Sequence, residues 1–565
     1  MAAVRDVVII GGGHNGLVAA FYLARAGKKV LLLERHFVVG GAAVTDEFHP
    51  GFRCSTLAHT MAPLRPGLVR DMHLPALGLH MIHPDPCVFA PSLHGRALLL
   101  FSDPAKSAAE IARFSKKDAE KYVEFHGALA RIARLLDPLM SVTPPSLDHP
   151  TPADLWNLLK VGRRFRRLGK KGMFRLLRWA PMPVADLVSE WFETEPLRAV
   201  LAARGVFGAA MGPRSAGSSA VFLLRSALDG GPAGSASFPR GGMGALTQAM
   251  AEAAQRAGAE IRTNAEVAQI TVKDGAATGV VLAAGEEIPA QAVMSNADPQ
   301  RTLLRLLDPA QLDASTLARR GEPQSNHPAF TAKMRHYRCP GVMAKVNLAL
   351  SGLPSFTALT GAAAGGWGMQ RALAARIHIA PELDYLERAF DSWKYGEFSP
   401  QPFLDVMIPS VSDPSLAPLG RHVMSICMQY APLRLASGDW KSRREALSRV
   451  VIETLSAYAP NLPGLVLESE VITPQDLEDV YSLTGGHIFH GELSLDQLFT
   501  MRPLLGYARY RTPLRGLYLC GSGTHPGLGL TGASGANAAR EILKDLRWKP
   551  KIRPSRIVEP HPGVF

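Results

Sequence analysis

Cysteine is scarce in this chain and never paired in spacing. The five residues Cys54, Cys87, Cys339, Cys427 and Cys520 form no C-x-x-C motif, and their number is odd. That excludes a disulfide framework and a cysteine-based metal centre, so no metal is expected; each thiol is read as a small buried hydrophobe in a reducing compartment. It also leaves a dithiol reductase without its exchanging pair. No apolar run approaches the roughly 18 residues of a membrane span. The first apolar strand begins at Val7, leaving no room for a leader or transit segment, so a cytoplasmic protein is expected. One stretch lacks acid altogether. From Trp156 to Trp179 there are nine cations and no carboxylate, within a chain of net charge +13.

What is present begins with Asp6 to Gly41. Val7–Ile10 is a short uncharged β-branched run, the profile of a strand buried on both faces. Gly11, Gly13 and Gly16 follow at the spacing G-x-G-x-x-G, then a helical segment from about Asn15 to Ala26 with Gly27 at its stop. Val30–Leu33 is a second apolar strand, closed by Glu34. Gly11 permits the tight turn, Gly13 lets a pyrophosphate approach the backbone, and Gly16 lets the helix pack on its strand. The helix N-terminus offers free N–H groups to the phosphates, and Glu34 offers acceptors to the ribose hydroxyls. This is a dinucleotide-binding unit. Gly40 and Gly41, just beyond Glu34, place a second glycine pair beside the phosphates and favour FAD.

Further along, residues from about 75 to 255 read as mostly helical, broken at Pro138, at Thr143–Pro152 and at Gly230–Pro232. Within them Lys160, Arg163, Arg164, Arg166, Arg167, Lys170, Lys171, Arg175 and Arg178 are interleaved with Leu158, Val161, Phe165 and Leu168 at helical spacing. A basic amphipathic helix over 156–179 suits a membrane surface; a solvated basic face over an ordinary buried stripe is the alternative. No nucleic-acid-binding fold accompanies the charge. Short strands at Glu260–Arg262, Glu266–Val272, Thr278–Leu282 and Ala292–Ser295 resume an α/β pattern, and Met343–Leu350 and Pro402–Pro409 are strand candidates further on. Near the end, strand Leu517–Leu519 leads into a glycine-rich loop, Cys520–Gly529, and a helix starting near Thr531. The small residues at that start present a second helix N-terminus. The fold class is therefore α/β, with a Rossmann-like domain discontinuous in sequence and a second domain of mixed sheet plus helices.

The passages GGGHNGLVAAFYLARAG, GGAAVTDEFHPGF, SEWFETEPL, FPRGGMGAL, SNADP, TGGHIFHGELSLDQLFTMRPLLGYARY and GSGTHPGLGLTGASG together resemble the phytoene desaturase-related branch of the FAD-dependent amine-oxidase superfamily. The resemblance implies non-covalent FAD and a domain order of 1–75, 235–302 and 480–548 for FAD binding, 76–234 and 303–479 for substrate, and 549–565 as a loose tail. It implies Gly11, Gly13 and Gly16 at the pyrophosphate, Glu34 at the ribose, Gly40 and Gly41 beside them, and Val267 at the adenine. Gly521, Ser522, Gly529 and Gly532 would surround the ribityl chain and ring. Many flavoproteins of this architecture carry an Asp in that loop; here Ser522 stands in its region. The candidate side-chain acid–base groups are His525 and His490, with His59 and Cys54 behind them, while the helix end near Thr531 would stabilise charge on the reduced flavin. The reaction implied is dehydrogenation, desaturation or isomerisation of a lipophilic unsaturated small molecule by hydride transfer to flavin N5, with a quinone or O₂ as electron acceptor. A flavin amine oxidase and a low-turnover flavin-containing regulatory protein with a protein partner, or a homo-oligomer, stay open beside it. Eukaryotic members of the branch imply a mitochondrial matrix location.

Overall fold

The computed structural model describes residues 4–61, 64–147, 150–313, 330–359 and 368–547; the expected loose tail at 549–565 lies outside them. Two seven-stranded sheets organise the chain. In the first, strand Arg5–Ile10 pairs in parallel with Val30–Leu33 on one side and with Glu287–Ser295 on the other. Glu260–Arg262 extends it beyond Val30–Leu33, and Leu517–Leu519 joins Glu287–Ser295 in parallel. Val267–Lys273 and Ala276–Leu282 add an antiparallel flank. Three segments far apart in sequence thus make one sheet. The reason is visible in its middle strands: Val7, Val8, Ile9 and Leu32 are wholly buried, as a parallel sheet covered on both faces requires. Each such side chain contributes roughly 1.5–3 kcal/mol by burial.

The first helix, His14–Arg25, packs against the last, Ala533–Arg547, on one face of this sheet. The contact is close at Gly535, where a Cβ would stand 2.1 Å from the Asn15 carbonyl. Small residues at the start of the last helix therefore serve helix–helix packing first.

The second sheet runs in the order Val466–Ile472, Met343–Leu350, His422–Gln429, Leu404–Met407, Arg376–Ile379, Val88–Pro91 and Ala97–Leu100. All its pairings are antiparallel except Arg376–Ile379 with Val88–Pro91. The last two strands correct the helical reading of 75–255. VFAP and ALLL are buried throughout and joined by a turn closed by Ser92 N–H donating to the Arg96 carbonyl. Runs this short carry no decisive period, and the Gly95 turn between them is the cue to a hairpin.

The basic segment also departs from a single helix. It forms two, Pro152–Arg167 and Gly169–Trp179, with Gly169 at φ +70° breaking the run. Its apolar side chains are not a buried stripe. Trp156 is 52% exposed, Phe174 61% and Leu177 63%, and only Trp179 is buried, against Phe125 and Trp191. Arg175 pairs with Glu124 and Arg178 with Glu190; the other seven cations form no ion pair among the described residues. No helix among those residues is long and apolar enough to cross a membrane.

Candidate functional site

One cavity runs from the glycine loop at the edge of the first sheet to the face of the second sheet. Gly11, Gly13, Glu34, Gly40, Gly41 and Val267 line its first end, and Ser522, Gly529 and His490 line its middle. The chain brings these predicted residues together from five segments. Gly16, Gly521, Gly532 and His525 are not on the lining.

The glycine loop is built by the protein's own contacts. A Cβ on Gly16 would stand 2.3 Å from the Gly11 carbonyl, and one on Gly13 would stand 2.7 Å from Asn296 Nδ2. Asn296, from the SNADP passage, lies across the loop and is fixed by its own N–H donating to the Ile10 carbonyl. Glu34 is buried and holds the loop from beneath: Oε2 accepts from Gly12 N–H at 2.7 Å and Oε1 from His36 N–H at 2.9 Å. A carboxylate keeps further lone pairs after two such bonds, so Glu34 stays able to accept from a ribose. Gly40 N–H donates to the Gly12 carbonyl, which lays the second glycine pair along the first.

Three imidazole nitrogens on this lining, His14 Nε2, His36 Nε2 and His490 Nδ1, are buried with no hydrogen-bond partner among the described residues. Buried polar atoms are rarely left so unless a ligand completes them. Burial lowers the pKa of His14 to about 4, with His490 adding to it, and burial with Arg502 and His487 lowers that of His490 to about 3. Both rings are neutral at pH 7 and offer a hydrogen bond without charge. Together with the open glycine loop and the helix N-terminus beyond it, these groups fit a dinucleotide.

Two expectations are corrected here. His525 faces away from the cavity: its Nε2 meets the Leu139 carbonyl at 2.9 Å and its ring packs edge-on to Phe499. Burial lowers its pKa to about 4, as a structural histidine held by one carbonyl would show. Gly532 is required by packing, since a Cβ there would meet Leu68 and Val18 at 2.8 and 3.0 Å. The end of the last helix sits behind Gly529 and Leu530, and two of its N–H groups are already taken: Ala533 N–H by Thr531 Oγ1, and Gly535 N–H by Asn15 Oδ1. Cys54 is also off the lining, whereas His59 is on it.

The loop around Ser522 hangs on Arg502, a residue that no motif or spacing singles out. Arg502 is wholly buried, and its guanidinium donates six hydrogen bonds of 2.7–3.3 Å to the carbonyls of Ser522, Glu492, Gln497, Phe489 and Gly491. It therefore ties the His490 loop to the Ser522 loop. Asn15 Nδ2 donates to Ser522 Oγ at 3.4 Å, connecting the first helix to the same place.

The far end of the cavity is chemically different. Lys345, His59, Asp405, Arg376 and Cys427 meet where the second sheet faces the helices. Lys345 Nζ donates to the Leu57 carbonyl at 3.0 Å and lies 3.1 Å from His59 Nδ1; His59 Nε2 is 3.1 Å from Asp405 Oδ1. Between the two ends the walls include Val200, Ala203, Phe207, Leu228, Met343 and Phe489.

The sequence profile of flavin containing amine oxidoreductases matches residues 16–325. The chain belongs to that family. It is 38% identical over 562 residues to pyridine nucleotide-disulfide oxidoreductase domain-containing protein 2 of Rattus norvegicus, covering 96% of this chain and 94% of the relative. It is 28% identical over 557 residues to one of the subunits of limonene dehydrogenase from Castellaniella defragrans, covering 96% and 95%. It is 26% identical over 538 residues to the neurosporene-forming phytoene desaturase of Rhodobacter capsulatus, covering 94% and 92%. The expected kinship is thus met along the whole chain, and the protein is a flavin-dependent oxidoreductase. All five of its cysteines are free and buried.

Proposed function

We propose that this enzyme binds FAD non-covalently and dehydrogenates, desaturates or isomerises a lipophilic unsaturated small molecule. The observation that carries the reading is the single cavity joining the glycine loop to an apolar-walled chamber. The kinship to limonene dehydrogenase and phytoene desaturase supports it. When bound, FAD supplies an acceptor for a hydride equivalent. The chain's residues do the rest. Gly11, Gly13 and the N-terminus of His14–Arg25 would hold the pyrophosphate, Glu34 the adenosine ribose, and the Val267 backbone the adenine. Gly40, Gly41, Ser522 and Gly529 would line the remainder, with His14 and His490 donating to it as neutral groups. Phe207, Leu228 and Phe489 exclude water from the substrate, and Arg502 keeps the two loops beside it in register.

The two helices over Pro152–Trp179 would dock on a membrane surface, from which such a substrate partitions. Exposed Trp156, Phe174 and Leu177 beside seven cations that form no ion pair among the described residues support this reading. The functional test is anaerobic titration of the holoprotein with unsaturated terpenoid and polyene lipids. Bleaching of the flavin band, followed by reoxidation with a quinone or O₂, is expected. A flavin that no lipid reduces, but that primary amines do, would replace the reading with an amine oxidase.

A further inference from the structure

The chamber that receives the substrate is apolar along its walls but cationic at its end. Arg204 and Arg225 come from adjacent helices, Glu195–Val206 and Ser218–Asp229, and Arg376 from a strand of the second sheet. All three line the cavity with Lys345. The carboxylates present are already engaged. Asp229 accepts from Arg204 Nη2 at 2.5 Å, and Asp405 is shared between His59 and Arg376, the latter at 3.2 Å. Arg376 also donates to the Ala233 carbonyl.

Arg225 has no such counter-ion. Its Nη2 donates to the Phe207 carbonyl at 2.8 Å, and its guanidinium lies 5.3 Å from the centroids of both Phe207 and Phe489. No carboxylate contacts it among the described residues. Burial lowers its pKa to about 10, with Arg204 and Arg376 adding to the effect and the more distant Asp229 and Asp405 opposing it. Arg204, which is almost fully buried, leaves its Nε without a partner, as Arg225 and Arg376 do. Room for it is cut into the backbone: a Cβ on Gly234 would stand 1.9 Å from Arg204 Nη1. Four cationic side chains against two carboxylates leave an excess of positive charge in an enclosed space. An uncompensated buried charge is costly, and a planar guanidinium pair matches a carboxylate in shape as well as charge.

We propose that the substrate is an amphipathic anion whose carboxylate seats between Arg225 and Arg204, while its unsaturated hydrocarbon part lies along Phe207, Leu228 and Phe489. This deepens the function proposed above and rests on it. It narrows the substrate class from a lipophilic unsaturated small molecule to an unsaturated carboxylic acid.

The test uses purified holoprotein and isothermal calorimetry with oleate, methyl oleate and oleyl phosphate below their aggregation limits. Oleate should bind about tenfold to a hundredfold more tightly than methyl oleate, the span expected of charge-assisted hydrogen bonds. Arg225→Gln should remove that preference of acid over ester, whatever it does to the affinity for methyl oleate through Phe207 and Phe489; Arg225→Lys should restore part of it. Equal binding of acid and ester by the unaltered protein overturns the proposal without relying on any variant. So does absence of binding by all three. Tighter binding of oleyl phosphate than of oleate overturns the carboxylate assignment in favour of a phosphate ester. Because calorimetry reads the anion site directly, a protein that binds oleate selectively but whose flavin no lipid reduces would fail the proposed reaction and not this site.

Discussion

Replacing Arg502 should loosen the flavin site more than any substitution on its lining. The guanidinium serves five carbonyls with six hydrogen bonds and lies wholly out of solvent. In Arg502→Met every one of those carbonyls loses its donor. Each bond from a charged donor is worth roughly 1.5–3 kcal/mol, but the sum is not additive, and removing a buried charge recovers part of the cost. A net loss of about 3–5 kcal/mol is expected, a large share of the 5–15 kcal/mol by which domains are ordinarily stable. Arg502→Lys is the sharper variant. It keeps the charge, yet an ammonium has three donors for five acceptors, so at least two carbonyls stay unpaired at a cost of about 2–3 kcal/mol. A chain with several packed units need not unfold in one step. The assay is therefore the temperature at which flavin fluorescence appears as cofactor is released. Both variants should release flavin at lower temperature, Met before Lys. A Lys variant that keeps its flavin to the unaltered protein's temperature would refute the reasoning.

His525→Phe should cost about 1 kcal/mol through its lost bond to the Leu139 carbonyl while leaving the rate of flavin reduction unchanged; a collapse in that rate at full flavin content would return His525 to the chemistry. Acid should loosen the last helix. Burial opposes ionisation of Glu541, but Lys544 and Arg511 outweigh it and lower its pKa, and Arg511 does the same for Asp545. Depressed carboxylates stabilise above their unfolded pKa and lose that contribution as pH falls through the folded one. Flavin retention should therefore weaken below about pH 4, and Arg511→Met should weaken it at neutral pH and flatten the acid dependence. Replacing Lys160, Arg163, Arg164 and Arg167 together with Gln should abolish flotation with anionic vesicles and leave flotation with neutral ones weak and unchanged, and no difference between the proteins would remove the membrane docking.

How much of this was legible in the sequence depends on how local each feature is. The run Val7–Ile10, the three glycines, Val30–Leu33 and Glu34 lie within 28 residues, and their spacing and polarity express the βαβ unit directly. Met343–Leu350 was likewise readable as a strand candidate, although Lys345 and Asn347 interrupt its apolar residues. Val88–Pro91 and Ala97–Leu100 were not, because four apolar residues satisfy a helix and a strand equally. At Gly169 a continuous basic amphipathic pattern conceals a break that only the backbone shows. Gly532 and His525 sit in a loop whose composition marks it as functional, but the space at Gly532 is closed by Val18 and Leu68 and the His525 ring is held by the Leu139 carbonyl, all far off in the chain. The cationic end of the chamber was out of reach for the same reason. Arg204, Arg225, Lys345 and Arg376 each look like ordinary residues of their own helix or strand, and only the packing of the second sheet against the helices makes them neighbours.

The cofactor is the central claim, and it is tested most directly by the absorption spectrum of the purified protein together with chromatography of the ligand released on denaturation. A yellow protein yielding about one FAD per chain, with none retained covalently, is the predicted result. A colourless protein releasing NAD, or no dinucleotide at all, would contradict it.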